Sequence, residues 1–259
     1  MNNIIQLNLI QFSLIYLLLL LVLFIMKKSK INQTRLLVLA SLRMTIQLVL
    51  AGFVLTYIFR NPHPIFTTIY IIAMVAFAIQ RVLSKNRGLN TKFKIGIAIS
   101  IGISGILILS YFVMIIVGES LLNPQYTIPL AGMIIGNSMT GVTLAIKTFM
   151  ESIDTQRDKI DSLLNLGVTP RKILIPYVNN ALETALLPTM NSMLGMGIIS
   201  LPGMMTGQIL SGTLPSVAIL YQISIMIAIC TSVCLTTFLS LSIGYKSLYN
   251  KRSQINIFL

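Results

Sequence analysis

The chain has 259 residues, of which 55% are hydrophobic and only 10% are charged, whereas soluble domains carry roughly 25% charged residues. Its net charge of +13 comes from lysines and arginines that lie between long apolar runs, so the charge indicates membrane topology and excludes nucleic acid as the partner. Apolar runs of about 20 residues recur along the chain, which is the length a helix needs to cross a bilayer. The composition predicts an all-α polytopic membrane protein that contacts membrane lipid.

Seven segments are predicted to cross the membrane as helices. The first is expected to be retained, because it lacks the basic start and the small-residue cleavage site of a secretory signal. The fourth carries Gly96, Gly102 and Gly105, and small residues let transmembrane helices approach closely. The predicted spans cover residues 4–26, 36–59, 65–83, 95–117, 128–149, 176–200 and 215–244.

The basic residues predict the orientation of these spans. With the N-terminus outside, nearly all of the 19 lysines and arginines fall in segments on the inner side, as the positive-inside rule requires. These include Arg87 between the third and fourth spans, and Lys251 and Arg252 after the last one. The C-terminus is therefore predicted to be cytoplasmic, and the protein to be a multi-pass protein of the plasma membrane.

Two further features of the spans concern chemistry. Cys230 and Cys234 lie on one face of the last span, and we interpret them as small buried hydrophobic residues. Residues 201–213 form a Pro/Gly-rich connection that is either an external loop or a re-entrant element lining a cavity.

The polar segment at residues 150–175 is predicted to be cytoplasmic. Its apolar residues Ile153, Ile160 and Leu164 have helical spacing. Three acids of the segment share one face of the same helix: Asp154, Asp158 and Asp161.

The same segment carries signals for a sharp turn between two helices. Gly167 is expected to end the first helix as a C-cap. Thr169 is a candidate N-cap of the next helix, with Pro170 at its first position. Because a simple connection needs only a few residues, we interpret the segment as a helix that docks into a groove on a cytoplasmic partner; the alternative is a solvated amphipathic loop. The residues predicted to couple the chain to this partner are Asp154, Asp158, Asp161, Leu164, Gly167, Thr169, Pro170 and Arg171.

Two sequence stretches carry a family resemblance. SLLNLGVTPRKILIP (162–176) is similar to the cytoplasmic coupling loop of ABC-transporter permeases, although the Glu-Ala-Ala of importer permeases is absent. TMNSMLGMGIISLPGMMTGQILSG (189–212) closely resembles the bacterial Fet-type iron-export ABC permeases, a family that includes plant aluminium-tolerance permeases. The resemblance extends over nearly the whole chain and implies one permease domain, 1–259, with a coupling-helix segment at 150–175.

The resemblance implies a permease subunit that is not an enzyme. It would work as a homodimer with a separate cytoplasmic ABC ATPase that binds ATP and Mg²⁺, and would itself bind no cofactor. Consistent with this, the chain has no GxxxxGK[ST] phosphate loop. The implied function is export of iron or another metal. The alternatives are an ABC permease for a nucleotide sugar or another small metabolite, and a non-transporting membrane scaffold. A secondary transporter is disfavoured because the sequence shows no internal repeat.

The candidate substrate path lies in and after the sixth predicted span. Glu183 is either an intramembrane functional acid or an interfacial one bonded to Asn179 or Asn180. The methionines near it are either soft metal ligands or adaptable packing, and Pro188 and Pro202 are expected to interrupt the helix. The predicted pathway or gating residues are Glu183, Pro188, Asn191, Ser192, Met193, Met196, Pro202, Met204, Met205 and Gln208, with Glu183, Met193 and Met196 as metal-ligand candidates.

Overall fold

The computed structural model describes residues 8–86 and 88–249, and these residues form a helical protein. The start of the first predicted span and the basic residues Arg87, Lys251 and Arg252 lie outside the described residues. In chain order the helices are α1 (Leu9–Lys28), α2 (Thr34–Arg60), α3 (Pro64–Lys85), α4 (Thr91–Tyr111), α5 (Pro124–Thr155), α6 (Arg157–Asn165), α7 (Pro170–Gly195), α8 (Gly203–Leu210) and α9 (Pro215–Lys246).

Six of the described helices are long and apolar enough to cross a membrane: α1, α2, α3, α4 with its continuation to Val117, α5 and α9. They match six of the seven predicted spans to within a few residues at most ends. The remaining predicted span corresponds to α7, which is 26 residues long but is not among the six, because asparagines, prolines and Glu183 interrupt its apolar residues. A count of seven and the orientation of the termini stay predictions.

The chain divides into two compact units. The first comprises the described residues up to Pro62 together with Leu210–Gly212. In it the Tyr16 hydroxyl lies 2.6 Å from Thr45 Oγ1, which links α1 to α2. The second unit comprises His63–Ile209 and the described residues from Thr213 onward. The predicted single domain over 1–259 stays a prediction.

The core of the second unit forms where α4, α5 and α9 pack against one another, with α3 and α7 against α5. Glycines permit this close packing. A Cβ at Gly141 would stand 2.6 Å from Val233 Cγ1, and one at Gly244 would overlap the ring of Phe93. On α4, Gly96 and Gly105 lie against side chains of neighbouring helices, whereas Gly102 faces open space. The small residues therefore act as expected at most, but not all, of these positions.

A buried hydrogen bond joins α5 to α9. Ser138 Oγ lies 2.8 Å from Ser232 Oγ, and both side chains are buried. In membrane proteins such interhelical bonds contribute about 0.6 kcal/mol on average, and at most about 1.7 kcal/mol. The pair thus orients the two helices more than it stabilises them.

We expect Ser138→Ala to lower the thermal unfolding midpoint in detergent only slightly. The remaining hydroxyl at 232 can still donate to a backbone carbonyl of its own helix, so little is left unsatisfied. A double-mutant cycle with Ser232→Ala measures the pair directly. A coupling energy well above about 1.7 kcal/mol would contradict the view that this bond makes a small contribution.

The end of α4 departs from α-helical geometry in a way that the sequence did not predict. Residues Phe112–Val117 form a π-helical turn that continues α4, and Gly118 ends it with φ of +76°. The Glu119 amide donates to the Val113 carbonyl across this turn (3.1 Å). Such turns occur as local widenings of α-helices.

The expected interruption at Pro188 is wrong. α7 continues through both Pro176 and Pro188 and ends at Gly195. The chain then turns over residues 196–202, where Gly197 adopts φ of +80° and its amide donates to the Ser200 carbonyl (3.0 Å). A proline is tolerated in a helix that packs in a bundle, because neighbouring groups compensate for the lost backbone bond. Within the connection at 201–213, residues 203–210 form α8.

Candidate functional site

The predicted turn at Gly167 is confirmed and has a defined hydrogen-bond pattern. The Gly167 amide donates to the Leu164 carbonyl (2.9 Å), and the Val168 amide donates to the Leu163 carbonyl (3.0 Å). These two bonds make up a Schellman motif, which requires a left-handed residue after the helix. Gly167 supplies it with φ of +81°. We call α5's last turns, α6 and the start of α7 (residues 150–175) the elbow.

α6 presents one apolar face to the protein and one polar face outward. Ile160 is only 2% exposed and belongs to the core. Leu163 and Leu164 pack against that core, so Leu164 lies on the inward face. The outward face of α6 carries Asp158, Lys159, Asp161, Ser162, Asn165 and, after its last turn, Leu166, and Arg157 is exposed as well.

Leu166 is a residue that the sequence analysis did not single out. Its side chain is 79% exposed, beside the acids of the outward face. An exposed leucine next to carboxylates is the composition of a helix that inserts an apolar anchor into a groove. The sequence did not reveal that Leu166 is exposed, because it follows the two inward-facing leucines Leu163 and Leu164. Only the turn at Gly167 determines which of the three points outward.

The second half of the elbow is joined to the first by packing and by one side-chain bond. Pro170 is buried as the first residue of α7, while Arg171 is exposed. Thr169 stands at the N-cap position but makes no side-chain capping bond; its carbonyl accepts from the Ile173 amide (3.2 Å). The Tyr177 hydroxyl donates to Gln156 Oε1 (3.0 Å), which ties α7 to the junction of α5 and α6.

A cavity of 190 Å³ lies where α5, α7 and α9 meet, beside Pro188. Three of the predicted pathway residues line it: Pro188, Ser192 and Met196. The neighbouring helices contribute Asn137 and Thr140 from α5 and Met226 from α9. The sequence could not have placed these three in the site, because the contact between the helices brings them there.

Two polar side chains of the cavity present acceptor oxygens. The Asn137 amide group donates to the Met133 carbonyl (2.7 Å), and the Thr140 hydroxyl donates to the Gly136 carbonyl (3.1 Å). The Thr140 hydroxyl proton and one of the two Asn137 amide protons are thus used within α5, and the side-chain oxygens of both residues can accept from a guest. Together with the sulfurs of Met196 and Met226, they form a surface suited to a cation or to water.

A buried amide stands next to this cavity. Gln222 on α9 is 7% exposed, and its Nε2 points at the Met196 sulfur at 3.9 Å. Its Oε1 has no hydrogen-bond partner among the described residues. This places a further acceptor oxygen one turn from Met226, close to where the chain leaves α7.

Glu183 does not line the cavity. It lies on the face of α7 opposite to the buried Ala181, Ala185 and Thr189, and is exposed together with Asn179 and Asn180. Neither asparagine hydrogen-bonds to its carboxylate, so the predicted alternative of an acid held by these amides is not formed. We call Asn179, Asn180, Glu183, Leu187 and Met190 the outward face of α7.

The three metal-ligand candidates do not form one centre within the chain. Glu183 and Met193 are ten residues apart in one continuous helix, which separates them by about 15 Å along its axis. Met196 points to Gln222 instead. Among the described residues there is no group of three His, Cys, Asp or Glu side chains that could hold a metal ion. The three candidates therefore do not meet at one point within a single chain, and their role as metal ligands stays a prediction.

The remaining predicted pathway residues are dispersed. Asn191 is exposed on α7, and the backbone carbonyls of Pro202 and Gln208 accept bonds from Thr206 and Thr213 within the connection. Met205 is buried and Met204 packs against the core. These two methionines thus act as packing, whereas Met190 and Met193 are exposed.

A further groove lies in the first unit. It measures 420 Å³ between α1 and α2 and is lined mainly by apolar side chains such as Phe12, Ile15 and Leu48. It offers the hydroxyls of Tyr16, Ser41 and Thr45 as its polar groups. Such a surface suits a lipid chain and not an ion.

Comparison with known proteins assigns the chain to a family. The model of UPF0014, described as an uncharacterised protein family, matches residues 9–249. The chain is 30% identical to the UPF0014 membrane protein YjkA of Bacillus subtilis over 94% of this chain and 96% of the relative. It is 32% identical to the probable iron export permease protein FetB of Escherichia coli, over 82% and 81% of the two chains.

A plant relative is similar to the same extent. The protein ALUMINUM SENSITIVE 3 of Arabidopsis thaliana is 31% identical over 82% of this chain and 77% of its own length. No solved structure matches the chain. The family model matches nearly the whole length of the chain, and six described helices are able to span a bilayer. The chain is therefore a multi-pass membrane protein that belongs to the UPF0014 family, and its relatives include those to which the resemblance had pointed.

Proposed function

We propose that this chain is the membrane subunit of an ABC exporter that moves iron or another metal ion out across the plasma membrane. Two copies work with two copies of a separate cytoplasmic ATPase, which binds ATP and Mg²⁺. The observation that carries the proposal is the elbow, whose outward face combines two acids and the exposed Leu166. The relative named as a probable iron export permease supports the substrate class.

In this proposal α7 is the seventh membrane span. Its apolar residues from Ile173 to Thr189 pack against α5 and α9, which are both long and apolar enough to span the bilayer. A helix packed along two spanning helices crosses the membrane with them. Its polar residues are then the part of the bundle that faces the substrate and not lipid.

The coupling mechanism follows from the contacts of the elbow. Closure of the ATPase pair on ATP displaces α6, whose Ile160 is embedded in the core beside α5 and α7. The displacement tilts α7 and changes the access of the 190 Å³ cavity. The acceptor oxygens of Asn137 and Thr140 hold a cation there weakly enough to release it.

The test uses proteoliposomes that hold the chain and its ATPase with the ATPase side outward. We expect Fe(II), supplied anaerobically outside, to stimulate ATP hydrolysis and to accumulate in the lumen. A non-hydrolysable ATP analogue serves as the control and should abolish accumulation. Coupled hydrolysis without any metal response would move the substrate to a small metabolite such as a nucleotide sugar. Absence of any stimulation of the ATPase would contradict the exporter and favour a scaffold.

A further inference from the structure

The turn that follows α7 exposes apolar side chains more fully than the membrane-facing helices do. We call this turn, residues 196–202, the hook. At its tip Ile198 is 89% exposed and Ile199 is 86% exposed, whereas exposed isoleucines of spanning helices, such as Ile103 on α4 and Ile223 on α9, are little more than half exposed. The tip is therefore an apolar surface that the described residues leave uncovered.

The hook belongs to a long stretch without charge. The sequence holds no charged residue between Glu183 and Lys246, a stretch that includes the end of α7, the hook, α8 and α9 up to its last residue. By contrast, the turn between α1 and α2 carries Lys30, and the turn between α4 and α5 carries Glu119. Residues of those two types are almost always exposed to water. An apolar connection that lacks them is typical of a segment in contact with lipid.

The hook also satisfies much of its own backbone. The Gly197 amide donates to the Ser200 carbonyl (3.0 Å), and the amides of Ile199 and Ser200 both donate to the Gly195 carbonyl (2.9 and 3.3 Å). Pro202 has no amide proton to satisfy. Hydrocarbon offers no hydrogen-bond partner, so a segment in contact with lipid must bond its amides internally. The backbone of the hook is therefore compatible with lipid contact.

Two distances along helices indicate how deep the hook lies. In the proposed crossing of α7, the nineteen residues from Pro176 to Gly195 span about 29 Å, which is close to the thickness of the hydrocarbon core, about 30 Å. At the base of the hook, Met196 Sδ lies 3.9 Å from Gln222 Nε2. Gln222 is seven residues into α9, about 10 Å along its axis. The hook thus lies where acyl chains meet headgroups.

We propose that the hook is a lipid anchor: Ile198 and Ile199 insert among phospholipid acyl chains and hold the end of α7 remote from the elbow at the membrane boundary. Apolar side chains that enter this boundary bind through the apolar area that they bury. The hook contacts α9, which is long and apolar enough to span a bilayer and exposes Leu220 and Ile223. The depth rests on the proposed crossing of α7, whereas the lipid contact rests on the hook itself.

Fluorescence tests the anchor, because the chain contains no tryptophan and a single introduced one reports its own surroundings. The full chain with Ile198→Trp is placed in proteoliposomes of phosphatidylcholine with plain or brominated acyl chains. We expect emission at short wavelength and loss of most of that emission in the brominated lipid, because bromine quenches only on close approach. Leu220→Trp on α9 should be quenched in the same way.

Leu166→Trp in the elbow is the matched control. Leu166 is also highly exposed after a helix end, but it stands beside carboxylates, so its tryptophan should emit at long wavelength and keep its emission in brominated lipid. Long-wavelength emission from position 198 would place the hook in water and overturn the anchor. Short-wavelength emission without quenching would show that protein covers the hook, either a second copy or another part of the chain, and would also overturn it.

A cysteine provides a second measurement, because tryptophan itself favours membrane interfaces. In a background of Cys230→Ser and Cys234→Ser, we expect Ile199→Cys to react at least roughly tenfold more slowly than Leu166→Cys with a membrane-impermeant maleimide, since the reactive thiolate is disfavoured in apolar surroundings. The reagent is supplied on both sides of the membrane, so the result does not depend on orientation. Equal rates at the two positions would contradict the lipid contact.

Failure of the anchor can be distinguished from failure of the exporter proposal, because neither measurement uses the ATPase or a metal. ATP-driven metal movement with an unquenched tryptophan at position 198 overturns the anchor and leaves the exporter. Quenching at 198 and slow labelling at 199, without stimulation of any ATPase, support the anchor and contradict the exporter.

Discussion

Replacing Gly244 with alanine is expected to lower the thermal unfolding midpoint of the purified protein by roughly 5 °C or more. The new Cβ would overlap the ring of Phe93, which is fully buried and makes an edge-to-face contact with Phe149 at 6.5 Å. Because the ring has no free space to move into, α4 and α9 must separate. Overpacking of this kind costs about 1–3 kcal/mol, measured here by thermal unfolding in detergent.

Gly102→Ala is the matched control for this prediction. It lies in the middle of α4, and a Cβ there meets nothing within 4 Å, so alanine should be neutral or slightly stabilising through its helix propensity. Shortening the ring with Phe93→Leu should recover part of the loss in Gly244→Ala. An equal loss in both glycine variants would show that the effect comes from the backbone and not from contact with Phe93.

Reversing the charges of the outward face of α6 is expected to break the complex with the ATPase. In the double variant Asp158→Lys, Asp161→Lys, the carboxylates that the proposed docking places against the partner become ammonium groups, and like charges across an interface cost several kcal/mol. We expect the affinity for the ATPase to fall at least tenfold, which is about 1.4 kcal/mol. Co-purification and stimulated ATP hydrolysis measure the loss, while membrane insertion should be unaffected.

Glu151→Lys provides a control with the same sign of charge change. Glu151 is exposed at the end of α5, where it pairs with Lys147 at 3.7 Å, and such surface pairs contribute only about 0–1 kcal/mol. Its reversal should leave the complex intact. Leu166→Ala should weaken the complex without any change of charge. If Glu151→Lys is as damaging as the double variant, the docking surface is not the outward face of α6.

The sequence predicted the individual helices of this fold better than the way in which they pack against one another. The lengths of the apolar runs identified six spans, because a helix needs such a run to cross a bilayer. Gly167 and Pro170 identified the elbow, because local backbone geometry determines which residue types stand at helix ends. The prediction that Pro188 interrupts the helix was wrong because the effect of a proline does not depend on local geometry alone. Its effect depends on the helices packed around it, which a single sequence does not reveal.

The candidate site was predicted only in part. Ser192 and Met196 belong to the cavity as expected, but Asn137, Thr140 and Met226 come from distant segments that only the packing of α5 and α9 against α7 brings together. Glu183 and Met193 are close in sequence, but the continuous helix α7 holds them apart, which the sequence alone did not show. No local pattern predicted the π-helical turn after α4, because its widened hydrogen bonds leave no residue signature.

The elbow has a consequence for how force passes through the protein. Ile160 anchors α6 in the core, the Tyr177 hydroxyl holds α7 to Gln156, and α7 runs on without a break to Gly195. In the proposed mechanism, a push on α6 would therefore not be absorbed at a flexible joint but would be transmitted along the continuous helix α7. In the proposed exporter, the displacement at the far end of α7 would depend on the length of this helix, a property of the chain itself.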